Sequence, residues 1–250
     1  MGKIRSLGYR RITKILWASV KNPHLLVLTL ARRDASKIPN KVIRKFVDSS
    51  KIDFVIEAGC FDGKDTINLG KLFESADIHA FEPVSDIFDI AVKNTSHMKK
   101  LHINRLALIA DSKSSVNMFS FNSTDVMHGS SSVMKPTTHL QIHPEVILNK
   151  VIEVPATTLA KYINDNNLSG NGLLWLDLQG AELEILSETP AVLQIIKAIY
   201  TEVSTQPLYE KSATIESLDA YLKEHHFRRV HLRVFLETGN ALYIRNEKIE

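Results

Sequence analysis

From residue 51 onward, short apolar runs alternate with stretches of helical period. Ile52 to Ile56 is a nearly continuous β-branched run, which predicts a buried strand. Lys64 to Phe73 has helical spacing. Ile78 to Phe81 reads as a second strand, Ile87 to Lys93 as a second helix, and Leu101 to Leu108 as a third strand. Strand, helix, strand, helix with short connections implies right-handed βαβ units and a parallel sheet. Gly172 to Asp177 and Ala198 to Glu202 read as two further central strands. Helices are expected from about Glu182 and over Ile215 to His225. Phe227 to Leu236 and Ala241 to Arg245, joined across Gly239-Asn240, predict a closing antiparallel hairpin.

The middle of the chain is patterned differently. Ser114 to Phe121 alternates polar and apolar residues, as a half-buried strand does. Residues 122–139 are then rich in Ser, Thr, Asn and His and have no period. A long loop of that kind in a compact domain points to a lid or binding loop. Val151 to Val154 predicts another strand, and Thr157-Thr158 caps a helix after it. The reading divides the chain into a helical extension over residues 1–50 and one α/β domain over residues 51–250.

Charge changes the picture at the amino-terminal end. Residues 1–33 hold eight Lys or Arg (Lys3, Arg5, Arg10, Arg11, Lys14, Lys21, Arg32, Arg33) and no acid, leaving −5 on the rest of a chain whose total is +3. Lys21-Asn22-Pro23-His24 interrupts the apolar positions between Ile12 and Leu30, so no uncharged run long enough to span a bilayer results. Arg32-Arg33 follows Leu25–Ala31 where a signal peptide would have a small-residue cleavage site. The segment predicts two short basic amphipathic helices broken near Pro23. They either dock on anionic lipid headgroups or cap the domain with their charges in water. The single cysteine, Cys60, excludes an internal disulfide and Cys-rich metal sites, and fits a cytoplasmic location with peripheral membrane contact as one reading of the arm. No aromatic-plus-basic pattern points to nucleic acid.

The sharpest chemical signal is Glu57-Ala58-Gly59-Cys60-Phe61-Asp62-Gly63, between a predicted strand and a predicted helix. Gly59 permits a tight turn and close backbone approach to a ligand, and Gly63 permits close helix–strand contact. A dinucleotide site would favour three glycines. Here there are two, flanked by Glu57, Asp62 and Asp65, and negative charge disfavours a pyrophosphate. It suits a ligand that is cationic nearby, such as an ammonium or a sulfonium. Phe81-Glu82-Pro83 ends the second strand. Glu82 lies 23 residues after Gly59, where an acid accepts hydrogen bonds from both ribose hydroxyls. These features predict an adenosine-bearing ligand without phosphates, S-adenosylmethionine, held by Glu57, Gly59, Cys60, Asp62, Gly63, Glu82 and Pro83, with Asp177 at the next strand end. Leu106 and Ala107 are expected to flank its adenine.

A third signal is Leu174-Trp175-Leu176-Asp177-Leu178-Gln179-Gly180-Ala181-Glu182. Asp177 falls at the carboxyl end of a central strand, where open parallel sheets bind ligands, and Glu202 ends the next one. These acids are candidates for a general base, for orienting a hydroxyl or for holding a metal. Asp177 as a helix cap and Glu182 as a first-turn charge are the structural alternatives. His128, in the polar loop, is a further candidate base or an exposed loop residue. His139 and His143 have metal-like spacing, but Pro144 and the lack of a third ligand leave no metal site expected. Cys60 and Trp175 read as packing residues.

Together, the segments Glu57 to Gly63, Phe81-Glu82-Pro83, Asp177…Gly180-Ala181-Glu182 and Gly239-Asn240-Ala241-Leu242-Tyr243 resemble the FkbM-type S-adenosylmethionine-dependent methyltransferases over about residues 51–246. The resemblance implies a Rossmann-like, class I methyltransferase fold: α/β, with a mostly parallel seven-stranded sheet and a reversed last strand. It implies methyl transfer to a hydroxyl of a sugar or natural-product scaffold, with an amide nitrogen as the alternative acceptor, and so a small-molecule or glycan partner. The other readings are a nicotinamide-dependent oxidoreductase and a non-catalytic membrane-surface protein. The family usually carries Lys and Glu where this chain has Trp175 and Gln179. An amide neither titrates nor carries charge, which leaves Asp177, Glu202 or His128 as the catalytic base.

Overall fold

A computed structural model of the chain describes residues 40–123, 126–127, 131–138, 140, 147–235 and 237–246. The basic arm, His128, His139 and His143 lie outside the described residues. A helix α1 (Asn40–Phe46) and a single 3-10 turn (Ser49–Lys51) lead into the first strand.

The strand β1 (Phe54–Ala58) is buried at all five positions, and so is β8 (Gly172–Leu176), which lies beside it in parallel. Strands covered on both faces need no polar side, which is why they read as unbroken apolar runs. On the other side of β1 lie β2 (Asp77–Phe81) and then β3 (Leu101–Asn104), both parallel. Beyond β8 comes β9 (Ile196–Ser204), also parallel. The chain then forms β10 (Phe227–Phe235) and β11 (Thr238–Arg245), and β11 inserts antiparallel between β9 and β10. The spatial order is β3-β2-β1-β8-β9-β11-β10. The expected mostly parallel seven-stranded sheet with a reversed last strand is the observed one.

The helices α2 (Lys64–Leu72) and α3 (Ser85–Thr95) follow β1 and β2. The helix α4 (Leu159–Asp165) precedes β8, α5 (Glu182–Ser187) follows it, and α6 (Ile215–Glu224) precedes β10. Thr158 caps α4 by accepting the Lys161 N–H at 3.1 Å, as the sequence predicts. The main core joins Ile56, Leu174, Leu176 and Ile199 of the sheet to Leu159 of α4, Ile185 and Leu186 of α5, and Leu218 and Leu222 of α6. Each such fully buried aliphatic side chain contributes about 2 kcal/mol. A second, four-stranded sheet is built from β4 (Ala107–Leu108), β5 (Ser115–Ser123), β6 (Val126–Met127) and β7 (Ile147–Thr157), in the order β4-β7-β5-β6.

Two sequence expectations are corrected. Leu101 to Leu108 is not one strand. Its first half pairs with β2, which ends at Phe81. Beyond that point the chain turns, and Ala107 and Leu108 pair in parallel with Ala156 and Thr157 of β7. Gly239-Asn240 is not the hairpin turn either, because both residues lie in the ladder opposite Val234 and Arg233. Gly239 is needed there for another reason: a Cβ would come within 2.0 Å of the Arg233 carbonyl oxygen.

Candidate active site

The carboxyl ends of β1, β2, β8 and β9 converge on one crevice. At its centre the chain leaves β1 through Gly59, with φ at +89°. A Cβ on Gly59 would lie 2.2 Å from the Asp177 carbonyl oxygen, so the glycine serves the crossing of two chain segments. The Asp177 N–H bonds to the Ala58 carbonyl at 2.9 Å and closes the same junction. The N–H groups of Gly59 and Cys60 both donate to the Phe81 carbonyl, at 3.1 and 3.0 Å. They fasten the turn to the end of β2 and are not free for a ligand. Gly63, at φ +77°, faces α3, and a Cβ there would meet Thr95 Cγ2 at 2.7 Å. Its expected helix–strand contact is a helix–helix contact. Cys60 packs with Ala80 and Ala91 behind the turn, and burial pushes its thiol pKa up. Asp62 pairs with Lys64 and accepts the Lys64 N–H at 3.2 Å.

Glu57 is 1% exposed, and neither carboxylate oxygen has a hydrogen-bond partner. Burial raises its pKa to about 8, the Thr66 hydroxyl opposes, and Asp65 and Asp177 add repulsion. Glu82 sits where β2 ends, 6% exposed, and its Oε1 accepts the Val84 N–H at 2.9 Å. Burial raises it to about 7 against the backbone N–H groups of Val84 and Phe61. Pro83 is half-buried beside it. Leu106 is half-buried and Ala107 is buried, at the crossing from the main sheet into the second one.

Asp177 lies open to solvent, yet protein surrounds its carboxyl and raises its pKa, as in a concave crevice. It does not cap α5. The cap is Ala181, and Glu182 folds back to accept the N–H groups of Leu178 at 2.8 Å and Gly180 at 3.1 Å. Burial raises Glu182 to about 7 despite these bonds. Asp65, on α2, is raised to about 6 by burial and then by Asp177 and Asp62. Glu202 is raised by burial and by the Asp177 and Glu182 charges.

Gln179 joins the two strand-end acids. Its Nε2 donates to Asp177 Oδ1 at 2.6 Å and to Glu202 Oε2 at 2.9 Å, while the Tyr209 hydroxyl donates to its Oε1 at 2.9 Å. Ser132 Oγ donates to the Gln179 carbonyl at 2.9 Å. Sequence reasoning singled out the acids but missed the Gln179 bridge, Tyr209 and Ser132. The left-handed backbone at Gln179 (φ +53°) and its Gly180 neighbour are the only local signals, and Tyr209 comes from an aperiodic loop. Of the expected polar loop over residues 122–139, Asn122 and Ser123 end β5 and pair with Met127 and Val126 of β6, and residues 131–138 are tied down rather than open. Thr137 N–H donates to the Leu208 carbonyl at 3.0 Å, and Glu210 N–H to the Lys135 carbonyl at 2.8 Å. Trp175 is core, stacked on Tyr200 with ring centroids 3.9 Å apart.

The arrangement fits a ligand with a cationic amino-acid part and a ribose. Six carboxyls, those of Glu57, Asp65, Glu82, Asp177, Glu182 and Glu202, have raised pKa values in and under the crevice. Their described hydrogen bonds come from neutral donors, so a cation at the turn is what would hold them ionised. Glu82 stands just past the end of β2, beside the Gly59 turn.

Residues 62–229 match the family described as Methyltransferase FkbM domain. Among curated proteins, the chain is similar to the 2-O-methyltransferase NoeI of Sinorhizobium fredii, with 26% identity over 167 residues, covering 66% of this chain and 68% of the relative. Among solved structures it is similar to a methyltransferase FkbM from Methylobacillus flagellatus, with 10% identity and a TM-score of 0.49 over 80% of this chain. The alignment spans 45% of that structure's chain, less than half its length. The S-adenosylmethionine-dependent methyltransferase SibL aligns with 12% identity and a TM-score of 0.45, over 91% of this chain and 61% of SibL.

Proposed function

The chain belongs to the methyltransferase FkbM family, and from that premise we propose that it transfers the methyl group of S-adenosylmethionine to a hydroxyl of a sugar or other polyhydroxylated natural product. The observation that carries the reading is the juxtaposition of two half-sites on one sheet edge. Glu57, the Gly59 turn and Glu82 form an acid-lined cofactor cradle, and Asp177, Gln179 and Glu202 form a proton-accepting cluster beside it. Similarity to a 2-O-methyltransferase supports a hydroxyl acceptor over an amide nitrogen. A nicotinamide cofactor would set its pyrophosphate against the same acids, which opposes it electrostatically.

S-adenosylmethionine supplies a methyl group on a sulfonium, whose C–S electron pair stays on sulfur as the new C–O bond forms. The protein's own part is positioning and proton removal. Glu82 would hold the ribose, and the acids around the Gly59 turn would favour the cationic end. The hydroxyl proton of the acceptor passes to the carboxylate pair of Asp177 and Glu202. Near neutral pH a raised carboxylate is a better base than an ordinary one. Most of the acceleration comes from holding the two reactants in line. The acceptor is assigned to the small cleft of about 160 Å³ between the second sheet and α5, where Val116, Val133, Met134 and Ile185 meet Asp111 and Glu184. Among the described residues no helix is long and apolar enough to cross a membrane.

The test is calorimetric titration with S-adenosylmethionine and S-adenosylhomocysteine, followed by transfer of labelled methyl to a panel of p-nitrophenyl glycosides. Micromolar cofactor binding and label on a glycoside oxygen are expected. A folded protein that binds neither cofactor form would overturn the reading. In Met134→Trp, glycoside methylation should fall while S-adenosylhomocysteine affinity holds. Loss of cofactor affinity instead would assign the cleft to the adenine.

A further inference from the structure

We propose that the Gln179 amide, oriented by Tyr209, is a positioning group that makes Asp177 and Glu202 a single proton-accepting unit for the acceptor hydroxyl. The proposal rests on the reading that these acids take the acceptor's proton.

The amide has two N–H donors and one carbonyl, and all three are engaged. One donor goes to Asp177 at 2.6 Å and one to Glu202 at 2.9 Å, and the carbonyl accepts from Tyr209 at 2.9 Å. The flipped amide would set its oxygen against two carboxyl oxygens, so the Tyr209 hydroxyl and the acids select the same orientation. Two acids bridged by a neutral donor keep their repulsion. They relieve it by taking up one proton between them, so the pair titrates as a unit, and the doubly ionised pair is the form that accepts the hydroxyl proton. The groups that face the pair are Glu57 of β1, Asp65 of α2, Glu82 beyond β2, Glu182 of α5, and Tyr200 and Tyr209, with the Arg233 charge of β10 beyond Tyr200. The groups nearest the pair are acids and phenols, and Gln179 supplies its side-chain donors without supplying charge.

The surroundings of Gln179 are built to hold it. Its backbone is left-handed at φ +53°, which is uncommon outside glycine. Ser132 Oγ fixes its carbonyl, and Ser132 exchanges backbone hydrogen bonds with Phe119 at 2.8 and 3.1 Å. On the other side the Tyr209 ring lies against Gly180, where a Cβ would meet it at 2.9 Å. Ser212 Oγ accepts the N–H groups of Leu208 and Tyr209, both at 3.1 Å, and so fixes the loop that carries the phenol. Residues 135–138 and 207–210 are hydrogen-bonded to each other, so the two supports of Gln179 form one closed frame. Ser132 thus holds the Gln179 backbone, and the Ser212-fixed loop brings the Tyr209 hydroxyl to its side chain.

The test follows the Gln179 side-chain amide by nitrogen-15 NMR, assigned through Gln179→Met, across a pH titration of the unliganded protein. The expected result is an amide signal that moves with the pair, and a midpoint that shifts in Tyr209→Phe, which keeps the ring against Gly180. With the glycoside methylated in the panel above, Tyr209→Phe should lower kcat by on the order of 10-fold to 100-fold. The acid limb of its pH profile should move, with S-adenosylhomocysteine affinity held within about twofold. An amide signal in the native protein that does not respond to pH overturns the proposal. So does a Tyr209→Phe protein, folded by its melting curve, with unchanged midpoint and kcat. A protein that binds no cofactor but shows the coupled amide titration would sink the methyl-transfer reading and leave the positioning frame standing.

Discussion

Glu82, the residue proposed to hold the ribose, carries a cost in the free protein. It is buried beside backbone donors and is raised to about 7, so at neutral pH its charge is held at a cost to the unliganded fold. Its removal should therefore leave the melting temperature level or slightly higher. A charge-assisted hydrogen bond pair to a ribose is worth about 1.5–3 kcal/mol. Glu82→Ala should accordingly weaken S-adenosylhomocysteine binding by roughly 10-fold to 100-fold, read by calorimetry beside a melting curve. Unchanged affinity in the folded variant would remove Glu82 from the cofactor site. Glu82 and Asp177 were legible in the sequence because an acid straight after an apolar run marks a strand end that faces a crevice. Gln179, Ser132 and Tyr209 were not, because their meeting depends on a frame closed between segments about 30 to 80 residues apart in sequence. Sequence alone casts Gln179 as a lost carboxylate. In the fold it is a bridge.

The β1-to-α2 turn is the element on which the crevice depends. Gly59 combines a left-handed φ with a Cβ position 2.2 Å from the Asp177 carbonyl, which is backbone and cannot swing away. Gly59→Ala should cost about 3 kcal/mol or more in denaturant unfolding, from strain and displaced backbone together. A loss below about 1 kcal/mol would mean that the turn relaxes where a rigid junction is expected. Among the elements, β1, β2 and β8 were readable because both of their faces are covered. The division of Leu101–Leu108 between two sheets was not, since apolar residues recur through both halves and nothing local says that the chain changes sheet after Asn104. The hairpin turn was misplaced for a related reason. Gly239-Asn240 has turn composition, but its glycine is required by close packing against β10.

Over the whole molecule, the acids of the crevice set a stability profile. Glu57, Glu82, Glu182 and Asp65 have folded pKa values of about 8, 7, 7 and 6, above their ordinary values. The native state therefore binds more protons than the unfolded chain through that window, and unliganded stability should fall as pH rises from about 5 to 8. His79 acts in the opposite sense. It is buried against Tyr162 and His102 and lowered from 6.5 to about 4, so the stability it permits above pH 6.5 is lost as pH falls toward 4. Unfolding across this range should show both slopes, and His79→Leu should flatten only the acidic one. A cationic cofactor would lower the carboxyl pKa values, so its binding should release protons near pH 7, a sign that calorimetry in buffers of different ionisation enthalpy reads directly. The position of β11 matters in a different setting, on the ribosome. It is made after β10 yet lies between β9 and β10. Until it emerges, β9 presents an open edge carrying Ile199 and Val203, residues otherwise buried, and β10 has no partner in the sheet. Translation at about 5–20 residues per second leaves that edge bare for seconds. A nascent chain stalled before residue 238 should be a strong client of chaperones that bind extended apolar segments, and one released there should aggregate rather than dock its cofactor.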